Sequence, residues 1–156
     1  KVEALADASS TALPESVWDW RLRHLDGPLE EQFFNLSDFR GRPLFVNRWA
    51  TWCGPCRAEL PSIRDLHAAY GEDLAMLLIT DENPSEVQAW LDKHGYAELP
   101  VYRSASEAPA PFDVRSIPAS WLIHPDGHIL AEHKGAARWD AAAVRSAVEA
   151  MLAAMP

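Results

Sequence analysis

Apolar and polar positions change rhythm several times along the chain, and each change predicts an element. "PLFVNRWA", residues 43–50, is a β-rich run and predicts a central strand. From Gly54 to Tyr70 the rhythm becomes helical: at about 100° per residue, Cys56, Leu60, Ile63, Leu66 and Tyr70 share one stripe, and Gly71 ends the helix. "LAMLLIT" is apolar without a break, as a strand buried on both faces requires. "NPSEVQAWLDKHG" opens on a capping signal and closes on Gly95, which predicts a second helix. "LPVYRS" is a short strand, and "ASEAPAPFDVRS" is a Pro-rich connection. "PASWLIHPDGHILAEHK" reads as two strands around the Pro125-Asp126-Gly127 turn. From Trp139 to Met155, Val144, Ala147, Val148, Met151 and Leu152 fall at i, i+3, i+4, i+7 and i+8, predicting a third helix.

The stretch before the central strand is less regular. "VWDWRLRHLDGPLEEQFF" alternates in part and holds Asp26-Gly27, so it predicts a hairpin. "LSDFRGR" predicts one helical turn with Ser37 as N-cap and Gly41 as stop. The opening "KVEALADASSTALPES" is small, polar and aperiodic. Residues 1–16 are therefore expected to be a tether or frayed end, and residues 17–156 one domain. Strand–helix–strand units followed by a late hairpin predict an α/β sandwich with a parallel core and an antiparallel edge.

Composition narrows the function classes. The 156 residues suit a single core, and 48% apolar with 24% charged residues is ordinary globular usage. The formal charge of -9 argues against nucleic acid or an anionic membrane as the main partner. No apolar run approaches the ~18 residues that span a bilayer. The chain begins at Lys1 rather than Met and is read as a processed or trimmed form, with any leader or anchor upstream.

Both cysteines lie in "RWATWCGPCRAELP". A bridge between Cys53 and Cys56 closes too small a loop to constrain the unfolded chain much, so a structural staple is a weak reading. A metal reading needs further ligands. One C-x-x-C is half a zinc site, and histidine could complete it. His124, His128 and His133 around the late hairpin form a second conceivable set. The redox reading needs only position. A strand running into the motif and a helix leaving it put Cys53 at a helix N-terminus, where backbone N–H groups favour a thiolate. Cys53 would attack a partner's disulfide, and Cys56, at i+3, would resolve the intermediate. Cys53 should be exposed and Cys56 shielded.

Glu59 falls inside the buried stripe, while Arg57, Arg64 and Asp65 lie opposite. A buried carboxylate one turn beyond a dithiol can exchange protons with Cys56; the alternative is an edge glutamate that bends out to water. His67 grazes the stripe as a packed or edge residue. Ile117-Pro118, just before "ASWLI", could set a fixed backbone edge beside the cysteines. Among the seven tryptophans, Trp52 abuts Cys53 and is expected to line a substrate surface. Trp49 and Trp121 read as strand core, and Trp18, Trp20, Trp90 and Trp139 carry no assigned role.

"WCGPC" after a strand, Pro61 beyond it and Ile117-Pro118 before a later strand resemble thioredoxin. "LSDFRGRPLFVNRWATWCGPCRAELP" resembles more finely the extracytoplasmic TlpA/ResA-like thiol-disulfide oxidoreductases, which include the CcmG type, over about residues 18–151. The resemblance implies a thioredoxin-like fold with an N-terminal β-hairpin extension and a central insertion, a mixed sheet flanked by helices. It implies Cys53 as nucleophile, Cys56 as resolving thiol and Glu59 as the proton-handling acid. Trp52, Gly54, Pro55, Ile117 and Pro118 would form the substrate surface, with Pro118 cis and Ile117 lending backbone hydrogen bonds. It implies no cofactor beyond the Cys53–Cys56 disulfide and no metal.

The implied partners are disulfide-containing or dithiol proteins and a membrane or soluble thiol electron donor, in a periplasmic or extracytoplasmic setting with an N-terminal membrane anchor outside this sequence. Cytochrome c maturation and general periplasmic reduction are both open substrates, and a disulfide-forming oxidant or isomerase is the alternative direction. A metal-binding or metal-delivery module using Cys53 and Cys56 is the alternative class. Two features depart from the relatives: Arg48, and the Gly54-Pro55 dipeptide, which matches reducing thioredoxins rather than the more varied dipeptides of maturation enzymes and leans the reading toward reduction. Asn47 stands where cytoplasmic thioredoxins carry a buried aspartate, as the TlpA-like pattern allows. Arg48 stands where an apolar residue is usual and needs a partner.

Overall fold

The computed structural model describes residues 6–155, with side chains in the first strand described only from residue 11. Among the described residues, eight strands form one mixed sheet: β1 (Ala6–Ala12), β2 (Arg21–His24), β3 (Phe33–Asn35), β4 (Leu44–Arg48), β5 (Ala75–Thr80), β6 (Val101–Ser104), β7 (Ala119–Ile123) and β8 (His128–Lys134). Their spatial order is β1-β8-β7-β4-β5-β6-β2-β3. β4, β5 and β6 run parallel, and β7, β8 and β1 extend that core antiparallel on one side. The expected hairpin β2–β3 extends it on the other, with β2 antiparallel to β6.

Among the described residues three helices pack on the sheet: α1 (Gly54–Tyr70) between β4 and β5, α2 (Pro84–His94) between β5 and β6, and α3 (Ala142–Ala153) after β8. α1 keeps the predicted bounds. In α2, Asn83 Oδ1 accepts from the Ser85 and Glu86 amides at 3.0 and 3.3 Å, Pro84 starts the helix, and Gly95 ends it at φ +80°. All three helices bury side chains in one cluster, with Leu60, Ile63 and Leu66 from α1, Val87 and Leu91 from α2, and Val144, Val148 and Met151 from α3. The opposite face is covered by 3-10 turns and the Pro-rich connection, through Val17, Trp18, Leu36 and Phe112. β4 and β5 are buried along their whole length, so the central position follows from their apolar runs.

Three expectations are corrected. Within residues 1–16, Ala6–Ala12 is not a frayed end: its backbone pairs with β8, Ala6 opposite Glu132 and Ala12 opposite His128. Residues 1–5 of that expected tether lie outside the described residues. Ser37 is not an N-cap. The turn Leu36–Phe39 starts after Asn35 with no side-chain cap. The last helix begins at Ala142, not Trp139, because the preceding residues form a turn with Ala141 N–H donating to Arg138 O at 3.3 Å.

Candidate active site

β4 ends at Arg48, and after five intervening residues α1 begins at Gly54, so the cysteines sit where a buried strand hands over to a helix. Cys53 is the N-cap of α1, and its Sγ accepts from the Cys56 amide at 3.2 Å. Cys53 and Cys56 are disulfide-bonded, Cα to Cα 5.2 Å. Cys56 is fully buried, as expected from its place on the stripe. Cys53 is not exposed as expected. It is 5% accessible, because its sulfur is tied to a buried partner and lies 3.8 Å from the Ile117 carbonyl oxygen. Exposure falls instead on its neighbours: Trp52 is 71% accessible, and Gly54 and Pro55 are exposed.

The Ile117–Pro118 peptide is cis, and it precedes β7 directly. The loop before the cysteines is fixed by Glu82. Its carboxylate accepts from the Thr51 amide at 2.9 Å, the Thr51 hydroxyl at 2.5 Å and the Thr80 hydroxyl at 2.7 Å. The Arg57 guanidinium donates to Thr51 O at 3.0 Å.

Glu59 is 2% accessible and does not bend out to water. Its Oε1 accepts from the Trp139 indole N–H at 2.9 Å and the Ala137 amide at 3.2 Å. Its Oε2 accepts from Asn47 Nδ2 at 3.0 Å. These bonds favour the carboxylate, but burial outweighs them and pushes its pKa up to about 7. A group poised there can give and take a proton near neutrality. It lies one turn beyond Cys56 on the same buried face of α1.

Several members of this arrangement carried no assigned function in the sequence. Asn47 bridges Glu59 and the Ser120 hydroxyl, the latter at 2.8 Å. Trp139 is fully buried against Phe45, ring centroids 4.9 Å apart, and its backbone N–H donates to Ser62 Oγ at 3.0 Å. Periodicity places each on a face but cannot join residues 47, 59, 120 and 139. Arg48 finds the partner that the sequence left open: Nη2 donates to Asp81 Oδ2 at 2.9 Å, and the guanidinium lies over the Trp20 ring at 5.4 Å.

The histidines divide. His124 and His128 stack at 4.8 Å and converge on Asp126 at the β7–β8 turn. His133 turns away, its ring contacting Ala136 O and the edge of Trp139. The three-histidine set is therefore not brought together. The grouping at the turn is His124, Asp126 and His128.

The AhpC/TSA family profile matches residues 16–132. The thiol-disulfide oxidoreductase ResA of Oceanobacillus iheyensis is 27% identical over 124 residues, which cover 78% of this chain and 65% of that protein. The thioredoxin-like protein YneN of Bacillus subtilis is 28% identical over 121 residues, 75% of this chain and 68% of that protein. The chain spans a little under two thirds of the length of the first ResA proteins it matches. A solved structure from Chlorobium tepidum, provisionally named thiol:disulfide interchange protein DsbE, superposes with a TM-score of 0.71 at 24% identity, covering 96% of this chain and 99% of that one. The fold is thus thioredoxin-like, as the resemblance implied.

Proposed function

The chain belongs to the AhpC/TSA family, and from that membership we propose that it is a thiol-disulfide oxidoreductase that reduces disulfides in extracytoplasmic partner proteins. The observation that carries this reading is the Cys53–Cys56 disulfide at the N-terminus of α1, with the Ile117 carbonyl at its rim and Glu59 behind it.

In the reduced protein, the Cys56 amide and the helix N-terminus stabilise a thiolate on Cys53. That thiolate attacks one sulfur of the partner's disulfide. The partner's S–S bond breaks, a mixed disulfide forms, and the departing partner sulfur takes a proton. Glu59, ionised, accepts the proton of the Cys56 thiol. The new Cys56 thiolate attacks Cys53 Sγ, releases the partner's second thiolate and closes the Cys53–Cys56 disulfide. Two electrons pass to the partner. A thiol donor protein returns them, and the proton on Glu59 goes back to Cys56.

Trp52, Gly54 and Pro55 supply the exposed contact surface, and the Ile117 carbonyl accepts a backbone N–H of the incoming segment. The setting is periplasmic or otherwise extracytoplasmic, consistent with the ResA likeness. Among the described residues no helix is long and apolar enough to cross a membrane.

The deciding experiment is the reduction potential of the Cys53–Cys56 pair in a thiol redox series. A value below about -200 mV is expected, and a value near about -120 mV would turn the direction to disulfide formation. Cys53→Ser should abolish turnover in either direction. Glu59→Gln should remove the limb of the turnover-versus-pH profile near pH 7, and an unchanged profile takes Glu59 out of the mechanism.

A further inference from the structure

Glu59 receives three hydrogen bonds, and they are unevenly divided. Oε1 accepts two N–H groups, from Trp139 Nε1 at 2.9 Å and Ala137 N at 3.2 Å. Oε2 accepts one, from Asn47 Nδ2 at 3.0 Å. A carboxylate oxygen offers about two lone-pair sites. Oε1 is therefore filled by donors, while Oε2 keeps one site open.

Trp139 is built into place for this contact. Its ring is fully buried and packs edge-on against Phe45. Its backbone N–H donates to Ser62 Oγ at 3.0 Å, and that hydroxyl in turn donates to Glu59 O at 2.8 Å. The segment before α3 is thus fastened to α1 twice, once through the Glu59 side chain and once through Ser62. A packed tryptophan would need only the ring. The indole N–H aimed at a buried carboxylate is additional.

We propose that Trp139 is a positioning residue for the proton on Glu59: together with the Ala137 amide it fills Oε1, so the proton that Glu59 exchanges is carried on Oε2. This rests on the reading of Glu59 as the acid of the dithiol. Around the carboxyl group, β4 presents Asn47 and β7 presents Ser120, both neutral, and α1 presents Cys56. The segment after β8 presents Trp139, whose ring edge meets His133 at 6.1 Å between centroids. Among the described residues no ion pair reaches Glu59.

The test uses the oxidised protein, in which Cys56 does not titrate. Trp139→Phe keeps a ring against Phe45 and removes the N–H donor together with the rest of the indole bicycle. The Glu59 carboxyl carbon is followed by NMR against pH, with Glu59→Gln to assign the signal. A lost hydrogen bond to the ionised form should raise the midpoint by about one pH unit. An unchanged midpoint overturns the proposal. The wild-type protein gives a second reading that needs no variant: the Trp139 indole proton should move with the same midpoint as the Glu59 carbon, and a flat indole signal overturns the proposal even if Trp139→Phe does not fold. Should Trp139→Phe move the midpoint while Glu59→Gln leaves the turnover profile unchanged, Trp139 still positions the proton. It is then the catalytic reading of Glu59 that falls.

Discussion

Asn47 and Arg48 are neighbours on β4, and their side chains leave the sheet on opposite faces. Asn47 meets a buried carboxyl group that three N–H donors surround. Arg48 is a buried cation with one carboxylate, Asp81, and its Nε and Nη1 have no protein partner among the described residues. Both faces hold ionisable groups away from water, but the outcomes differ. Glu59 can become neutral by taking a proton, and burial moves it toward doing so. Arginine has no such escape, so Arg48 depends on Asp81 and the face of Trp20. One face carries a group whose charge changes and the other a charge that is fixed. The titratable face is the one that lies against the dithiol.

The contrast breaks most sharply if a second acid enters the first face. Asn47→Asp sets a carboxylate beside Glu59 and removes its amide donor. Stability at pH 8 should fall by about 4 kcal/mol, as for an uncompensated buried charge, and by much less at pH 5, where protonation relieves the pair. Urea unfolding at the two pH values checks this, and an equal loss at both would mean the site is wetter than its burial shows.

The second prediction concerns the wild-type proton. An acid raised in the folded state from 4.5 to about 7 binds more protons folded than unfolded between those values. Its contribution to stability is full below pH 4.5 and is lost as pH rises through about 7, a change of about 3 kcal/mol. Glu59→Gln should flatten that slope when unfolding free energy is measured from pH 4 to 8; a slope that survives assigns it to other groups.

The smallest effect is expected on the fixed-charge face. Asp81 is 71% exposed, so Asp81→Ala should cost about 1–2 kcal/mol rather than the loss typical of a fully buried pair. In an Arg48→Met background, where no charge remains to compensate, the cost should vanish. Equal losses in both backgrounds would dissolve the pairing.

The parts of the fold legible in the sequence were those with strong periodicity or explicit end signals. The unbroken apolar run of β5, the stripe of α1 and the Asn83 and Gly95 ends of α2 sufficed. β1 was not legible, because "ADASSTA" has neither alternation nor bulk; its backbone is placed by pairing with β8. Trp139 was hidden because it was assigned to the last helix, whereas a turn orients its indole toward α1. Glu59 was legible as a polar break in an apolar stripe. Its donors were not, because they come from β4 and from the segment before α3. The burial of Cys53 depends on Ile117, 64 residues away, and local spacing cannot reveal it.

Chain from before the first cysteine forms both edges of the sheet: β1 lies outside β8, and the β2–β3 hairpin lies outside β6. An open, untwisted edge invites any extended polypeptide to add as a further strand. On the reading proposed above, the segment that this protein meets is an extended stretch of a disulfide-carrying partner. With β8 and β6 already paired, a visiting chain meets, among the described residues, the three-residue β3 at one flank and at the other the seven-residue β1, whose ladder with β8 shifts register between Asp7 and Thr11. The Ile117 carbonyl beside Cys53 offers it a hydrogen bond next to the sulfur. The sheet therefore discourages adhesion along its length and leaves its invitation at the place where the encounter is chemical and brief.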